Sequence, residues 1–169
     1  PAPFKRPASL STDNARISDV IIHTLDWYKS TYHTLPENIV LLQPTSPFRD
    51  FLDIDQAIKI FVKSPKKTLV SATEPSQHPG DFLIKDLDGK FKKLEVNLNS
   101  SNSSGRQAYS KTIFIDGGIY IANTNMFLST NEMIGNDPEI MMIHKSHAID
   151  IDTIFDLKIA RAIYNSKEF

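Results

Sequence analysis

Two short polar stretches hold the side chains best suited to chemistry. Gln43-Pro44-Thr45-Ser46-Pro47 ends the apolar run Ile39-Val40-Leu41-Leu42, and Asp150-Ile151-Asp152 precedes an apolar helical pattern that begins at Thr153. Gln43 offers donors and acceptors together, which suits a nucleobase edge or a sugar hydroxyl. Thr45 and Ser46 supply hydroxyls that can bind a ligand or cap the helix that follows. Arg49 can pair with a carboxylate or a phosphate. The same stretch also reads as a strand–turn–helix linker with proline-fixed geometry. Asp150 and Asp152, two apart, fall on one side of an extended chain with Ile151 turned inward. Such a pair suits Mg2+, a hard cation that takes oxygen ligands. Alternatively, Asp152 caps the helix ahead of Thr153 and Asp150 is a solvated neighbour.

A third candidate is Arg106-Gln107, followed by Asp116-Gly117-Gly118 between the runs Ile113-Phe114-Ile115 and Ile119-Tyr120-Ile121. The glycines let a backbone or ligand come close, and they equally fit a tight hairpin turn. Tyr120 alternates with buried positions, so it faces either a site or the core. His23 lies near an apolar helical stripe and reads as packing. His144 and His147, three apart near the aspartate pair, lack regular zinc-ligand spacing. No Ser-His-Asp signature or nucleophile elbow is present.

The elements that must position these residues alternate. After a proline-rich opening, Ser11-Thr12-Asp13 offers an N-cap. Ile17, Val20, Ile21, Thr24, Leu25 and Tyr28 then recur at helical spacing, and Pro36 closes that helix. The run at 39–42 reads as a strand buried on both faces. Ile54, Ala57, Ile58, Phe61 and Val62 form an amphipathic helix, and Thr68-Leu69-Val70-Ser71-Ala72 is the next buried strand. Strand, helix, strand is a βαβ unit and implies an α/β fold with parallel strands. Residues 76–112 are polar and turn-rich, with a hairpin signal at Asp88-Gly89, and read as an insertion that leaves the main sheet. A short helix near 124–129, a strand through 140–143 and a last helix over 153–164 follow, the last carrying Phe155, Ile159, Ala162 and Ile163 inward.

Composition narrows the class. The chain has 169 residues, 40% hydrophobic and 23% charged, enough for one domain with a core. A net charge of −1 argues against a broad nucleic-acid or anionic-membrane surface. The absence of cysteine excludes disulfides, thiolate metal sites and a thiol nucleophile. No apolar run is long enough to span a membrane and no signal peptide is visible, so a cytoplasmic protein is expected.

The order LLQPTSPFR, VSATE, RQ…DGGIYIA and HAIDIDTIFDLKIA, together with the opening PFKRPASLSTDNA, resembles the acylneuraminate cytidylyltransferases over most of the chain. The resemblance implies a Rossmann-like three-layer nucleotidyltransferase fold with a mostly parallel sheet and an inserted β-hairpin dimerisation element at 76–112. It implies transfer of CMP from CTP to a nonulosonic, sialic-acid-like sugar, with Mg2+, in a homodimer. Gln43, Thr45, Ser46 and Tyr120 would then bind substrate. Asp150 would hold Mg2+ with Asp152 supporting it, and Arg106 and Lys85 would reach a partner subunit's sugar site. The family's opening strand and Gly- and Arg/Lys-rich triphosphate loop have no counterpart here, since all six glycines lie at or after Gly80. The chain is therefore expected to be a C-terminal portion without turnover of its own. Phe114 and Asp116 stand where the family carries an arginine and an amide, and Met133-Ile134 where it often carries aromatics. Those departures keep legionaminic- or pseudaminic-type acids open as substrates. A shorter 3-deoxy sugar acid, or a non-catalytic domain retaining fold and dimer surface, are the alternatives.

Overall fold

The computed structural model describes residues 4–94 and 111–166. Its centre is a four-stranded sheet in which β1 (Asn38–Leu42), β2 (Thr68–Thr73), β5 (Phe114–Asn123) and β6 (Glu139–Met142) lie in the order β1-β5-β2-β6. Every residue of β2 is buried, as the continuous apolar run requires of an inner strand. β2 pairs with β6 in parallel, while β5 runs antiparallel to both β1 and β2. Three of the four strands therefore share one direction. β1 and β2 are codirectional, as a strand–helix–strand unit demands, but they are not neighbours, because β5 returns between them.

Alternation along β5 divides the core in two. Ile119 and Ile121 join Leu69 and Met141 against Ala57 and Phe61 of α2 (Phe51–Lys63). Tyr120 and Ala122 join Ile39 and Leu41 against Ile21 and Leu25 of α1 (Ile17–Tyr32) and Phe127 of α3 (Thr124–Thr130). Helices thus cover both faces of the sheet, giving the three-layer α/β arrangement the sequence implies.

Several local expectations change. Helix α1 starts at Ile17 with Arg16 as N-cap and no side-chain cap, so Ser11-Thr12-Asp13 stays outside it. His33 ends it in the left-handed region at φ 58. The segment Asp116-Gly117-Gly118 is not a hairpin turn but lies inside the ten-residue strand β5. Ladder pairs flank the glycines: Phe114 and Ile115 pair with β2, and pairing resumes at Ile119 with β1 and at Tyr120 with β2. In α4 (Ile154–Ser166) the buried residue is Ala160, while Phe155 and Ile159 are exposed. The apolar stripe of that helix is therefore left largely uncovered among the described residues.

Within 76–112, β3 (Leu83–Lys85) and β4 (Phe91–Lys93) form a separate two-stranded antiparallel ribbon. Gly89 turns it at φ 81, where a non-glycine residue would be strained. Arg106 and Gln107 lie outside the described residues. No helix among the described residues is long and apolar enough to cross a membrane.

Candidate active site

The site is built around an irregularity in β5. Val70 pairs with Tyr120 and Ala72 with Ile115, so Ser71 alone faces the four residues 116–119. The extra residues bulge out of the ladder, a device that re-aims side chains near functional sites. Ser71 stitches the bulge closed. Its Oγ accepts from the Ile119 amide at 2.8 Å and donates to the Ile119 carbonyl at 3.3 Å. The Asp116 carboxylate accepts from the Gly118 amide at 3.0 Å through Oδ2. Gly117 takes φ 82, a conformation that favours glycine.

Arg49 locks the bulge to the end of β1. Its guanidinium donates to the Gly118 carbonyl at 2.6 Å and to the Gln43 carbonyl at 3.1 Å. The Gln43 carbonyl also receives the Ser46 amide at 3.4 Å, closing a turn with Pro44 at the position proline favours. Neither Thr45 nor Ser46 caps the next helix. Asp50 does, in a reciprocal capping box with Asp53. The second polar stretch is tied to the first by the Ile151 amide, which donates to the Thr45 carbonyl at 2.9 Å. Nor does Asp152 cap α4. Thr153 and Asp156 bond reciprocally, Thr153 amide to Asp156 Oδ2 at 2.7 Å and Asp156 amide to Thr153 Oγ1 at 3.3 Å. Capping therefore accounts for neither Asp150 nor Asp152.

These ties bring three of the expected residues to one point. A Cβ built on Gly117 would lie 2.9 Å from Gln43 Oε1, 3.7 Å from Asp150 Oδ2 and 3.9 Å from Ser46 Oγ. Glycine thus leaves a gap that Gln43, Ser46 and Asp150 surround. Ser46 is 2% exposed and its hydroxyl has no partner, and one oxygen of Asp150 is likewise buried and unpartnered. Buried polar atoms are normally hydrogen-bonded, so such orphans mark a place prepared for a ligand. Unpaired carboxylate and hydroxyl oxygens form a donor set that fits a hard divalent cation. Tyr120 is held neutral beside them. Burial pushes its phenol above the ordinary range, and the carboxylates of Asp116 and Asp150 push the same way.

Gln43 and Tyr120 also face a cavity of about 370 Å³, walled by Leu41, Phe127, Met133 and Ile134 on the apolar side and by Ser18, Asn131 and Glu132 on the polar side. Its volume lies in the range of small-molecule sites. The remaining expected residues lie elsewhere. Asp152 is exposed. Lys85 sits on the two-stranded ribbon with its ammonium 6.0 Å from the Phe91 ring. His147 bonds Asp53 at 2.8 Å, bracing the start of α2 rather than the aspartate pair, and His144 bonds Ser146. A ligand atom from each of Asp50, Asp53 and His147 falls within 4.8 Å of the others, yet the capping box and the histidine bond already occupy that group.

No family model matches the chain. Over 168 residues the chain is 27% identical to post-translational flagellin modification protein B of Campylobacter coli, covering 97% of this chain and 68% of that protein. Over 164 residues it is 30% identical to the N-acylneuraminate cytidylyltransferase of Escherichia coli, covering 96% of this chain and 37% of that one. The chain is similar to acylneuraminate cytidylyltransferases over nearly its whole length. A third similar protein, the CMP-N,N'-diacetyllegionaminic acid synthase of Legionella pneumophila, is 27% identical over 155 residues, 91% of this chain and 65% of that protein. The relationship to these cytidylyltransferases runs through nearly all of the chain, but the chain spans little more than a third of the Escherichia coli enzyme's length.

The structure brings Gln43, Ser46 and Asp150 of the two polar stretches together, whereas three features around them were not legible in the sequence. Arg49 acts on backbone carbonyls rather than on an anion. Ser71 reads as an ordinary strand residue. Asn131, the left-handed cap of α3 at φ 57, brings Glu132, Met133 and Ile134 to the cavity wall. An asparagine just after a short helical pattern is the signal that could have located that wall.

Proposed function

We propose that this chain carries the sugar-binding and cation-binding side of a cytidylyltransferase that moves CMP from CTP to a nonulosonic acid. The observation that carries this reading is the meeting of Gln43, Ser46 and Asp150 at Gly117, beside a cavity shared by Gln43 and Tyr120. The anomeric hydroxyl oxygen of the sugar attacks the α-phosphorus of CTP. The bond to the β-phosphate breaks, pyrophosphate leaves, and the hydroxyl proton is released. Asp150 would hold Mg2+ through its unpartnered oxygen, and the exposed Asp152 would support it directly or through water. Mg2+ there supplies neutralisation of charge on the phosphate oxygens and a lower pKa for the attacking hydroxyl. Gln43 and the neutral Tyr120 phenol orient sugar hydroxyls, and Thr45 holds the Gln43 turn against the Asp150 segment.

The apolar wall of Leu41, Phe127, Met133 and Ile134 favours sugars whose chain carries deoxy or acylamino carbons, as legionaminic- and pseudaminic-type acids do. The ribbon supports a homodimer, because Leu83, Ile84, Leu87 and Phe91 are all exposed and a lone two-stranded ribbon is marginal. In such a dimer Lys85 and Arg106 would serve the neighbouring sugar site. Dependence on CTP, a nucleotide of the cell interior, supports the expected cytoplasmic location.

The test is pyrophosphate release from CTP and Mg2+ by the protein made from its complete reading frame. The panel holds N-acetylneuraminic, legionaminic and pseudaminic acids and a shorter 3-deoxy sugar acid. Turnover with a nonulosonic acid supports the reading, and preference for the shorter acid replaces it with that alternative. No turnover with any acid leaves a non-catalytic domain. The 169-residue chain alone is expected to release none, having no Gly-rich triphosphate loop in its sequence.

A further inference from the structure

Among the described residues Asp116 is the one acid in the buried polar set, at 2% exposure. Its Oδ2 accepts from the Gly118 amide, while its Oδ1 is buried with no partner. A carboxylate removed from water needs a cation or several donors. Arg49, the guanidinium that reaches the bulge, donates to the carbonyls of Gln43 and Gly118. Two further residues with unpartnered oxygens border Gly117: a Cβ there would lie 3.7 Å from Oδ2 of Asp150, whose Oδ1 is buried without a partner, and 3.9 Å from the unpartnered Oγ of Ser46. Ser46 is itself 2% exposed. Asp116 and Asp150 both contribute to the raised pKa of the Tyr120 phenol, so both lie within its electrostatic reach.

We propose that Asp116 is a third oxygen ligand, with Asp150 and Ser46, of a divalent cation seated at the β5 bulge. The proposal rests on the reading of Asp150 as a cation ligand, and adds a residue that neither polar stretch contains. The bulge explains why the ligand comes from the middle of a strand. The register slip turns Asp116 out of the ladder, and the missing side chain at Gly117 leaves the ion's space. Asp150 is only half-buried, so the ion enters past it from solvent. All the ligands are oxygens, which selects Mg2+ or Mn2+ over zinc.

Titration calorimetry of Mg2+ and Mn2+ into the 169-residue chain tests this. One ion is expected to bind, Asp116→Asn to weaken it about 10- to 100-fold, and Asp150→Asn to abolish it. Asparagine keeps an acceptor for the Gly118 amide and removes a buried charge. The ion-free variant is therefore expected to melt no lower than wild type while losing the rise in melting temperature that Mg2+ gives. Should Asp116→Asn fail to fold, Mn2+ added to the wild-type protein is expected to broaden the amide resonances of 116–120 first. Unchanged affinity in Asp116→Asn alongside loss in Asp150→Asn overturns the role of Asp116 alone, as does broadening that spares the bulge. Absence of any ion from wild type overturns the cation site altogether, while cytidylyl transfer stands or falls by the pyrophosphate assay.

Discussion

Replacing Ser71 with alanine is expected to destabilise the protein by about 2–4 kcal/mol. Ser71 is fully buried, and its hydroxyl bonds both the amide and the carbonyl of Ile119, a residue only 1% exposed. In an unbulged ladder those two groups would face β2 backbone, but the register slip between Val70 and Ala72 removes that possibility. Alanine leaves one donor and one acceptor unsatisfied in the interior. Each such group costs about 1–3 kcal/mol, the carbonyl toward the lower end. For a chain of this size the loss corresponds to a fall of roughly 5–12 °C in melting temperature. Urea unfolding measures the energy, and native-state hydrogen exchange reads the Ile119 amide directly. A loss below about 1 kcal/mol, or an Ile119 amide as protected as in wild type, would refute the claim that one hydroxyl holds the bulge shut.

Two further substitutions address the site. Gly117→Ala puts a Cβ 2.9 Å from Gln43 Oε1 on a backbone at φ 82, so a stability loss of about 1–2 kcal/mol and displacement of Gln43 are expected. In the complete protein the KM for the sugar acid should rise more than the KM for CTP, and equal effects on both would count against Gln43 as a sugar contact. Tyr120 has a folded pKa above its ordinary value of 10.0, mainly through burial. Its contribution to stability is therefore fully present below about pH 10 and is lost as pH rises through the folded value. Urea midpoints from pH 9 to 11.5 should fall more steeply for wild type than for Tyr120→Phe, and parallel curves would remove Tyr120 from the account.

The element pattern was legible because each element has its own period. The run at 68–72 became the inner strand β2, and the helical spacing from Ile54 to Val62 became α2. The run at 39–42, however, expected to be buried on both faces, became β1 at the edge of the described sheet, with Val40 and Leu42 exposed. Order in the sheet was not legible, since nothing local says that β5 will lie between β1 and β2. Asp116-Gly117-Gly118 misled for a physical reason. An acid whose carboxylate bonds an amide two residues on, followed by a glycine at positive φ, is the local chemistry of a turn. Only the ladder pairs that flank it, Phe114 and Ile115 with β2 and Ile119 onward with β1, make it a strand with a bulge. The aspartate pair was half legible. Asp150 reaches the glycine gap, but the chain from Asp150 to Asp152 belongs to no strand, so alternation does not carry Asp152 to the same place. Arg49, whose type suggested an anion, instead braces the backbone that shapes the site.

The position of β5 also sets the order in which the molecule can assemble. Both β1 and β2 take β5 as a neighbour, and β5 ends at Asn123. During synthesis the ribosome therefore releases two apolar strands long before their shared partner exists. Every pairing with β5 closes a long stretch of chain, which slows folding and prolongs the life of unpaired edges. Val40 and Leu42 of β1 remain exposed even in the folded chain. The nascent protein consequently depends on protection of β1 and β2 until residue 123 has left the exit tunnel, and a pause in translation before that point would favour aggregation over folding.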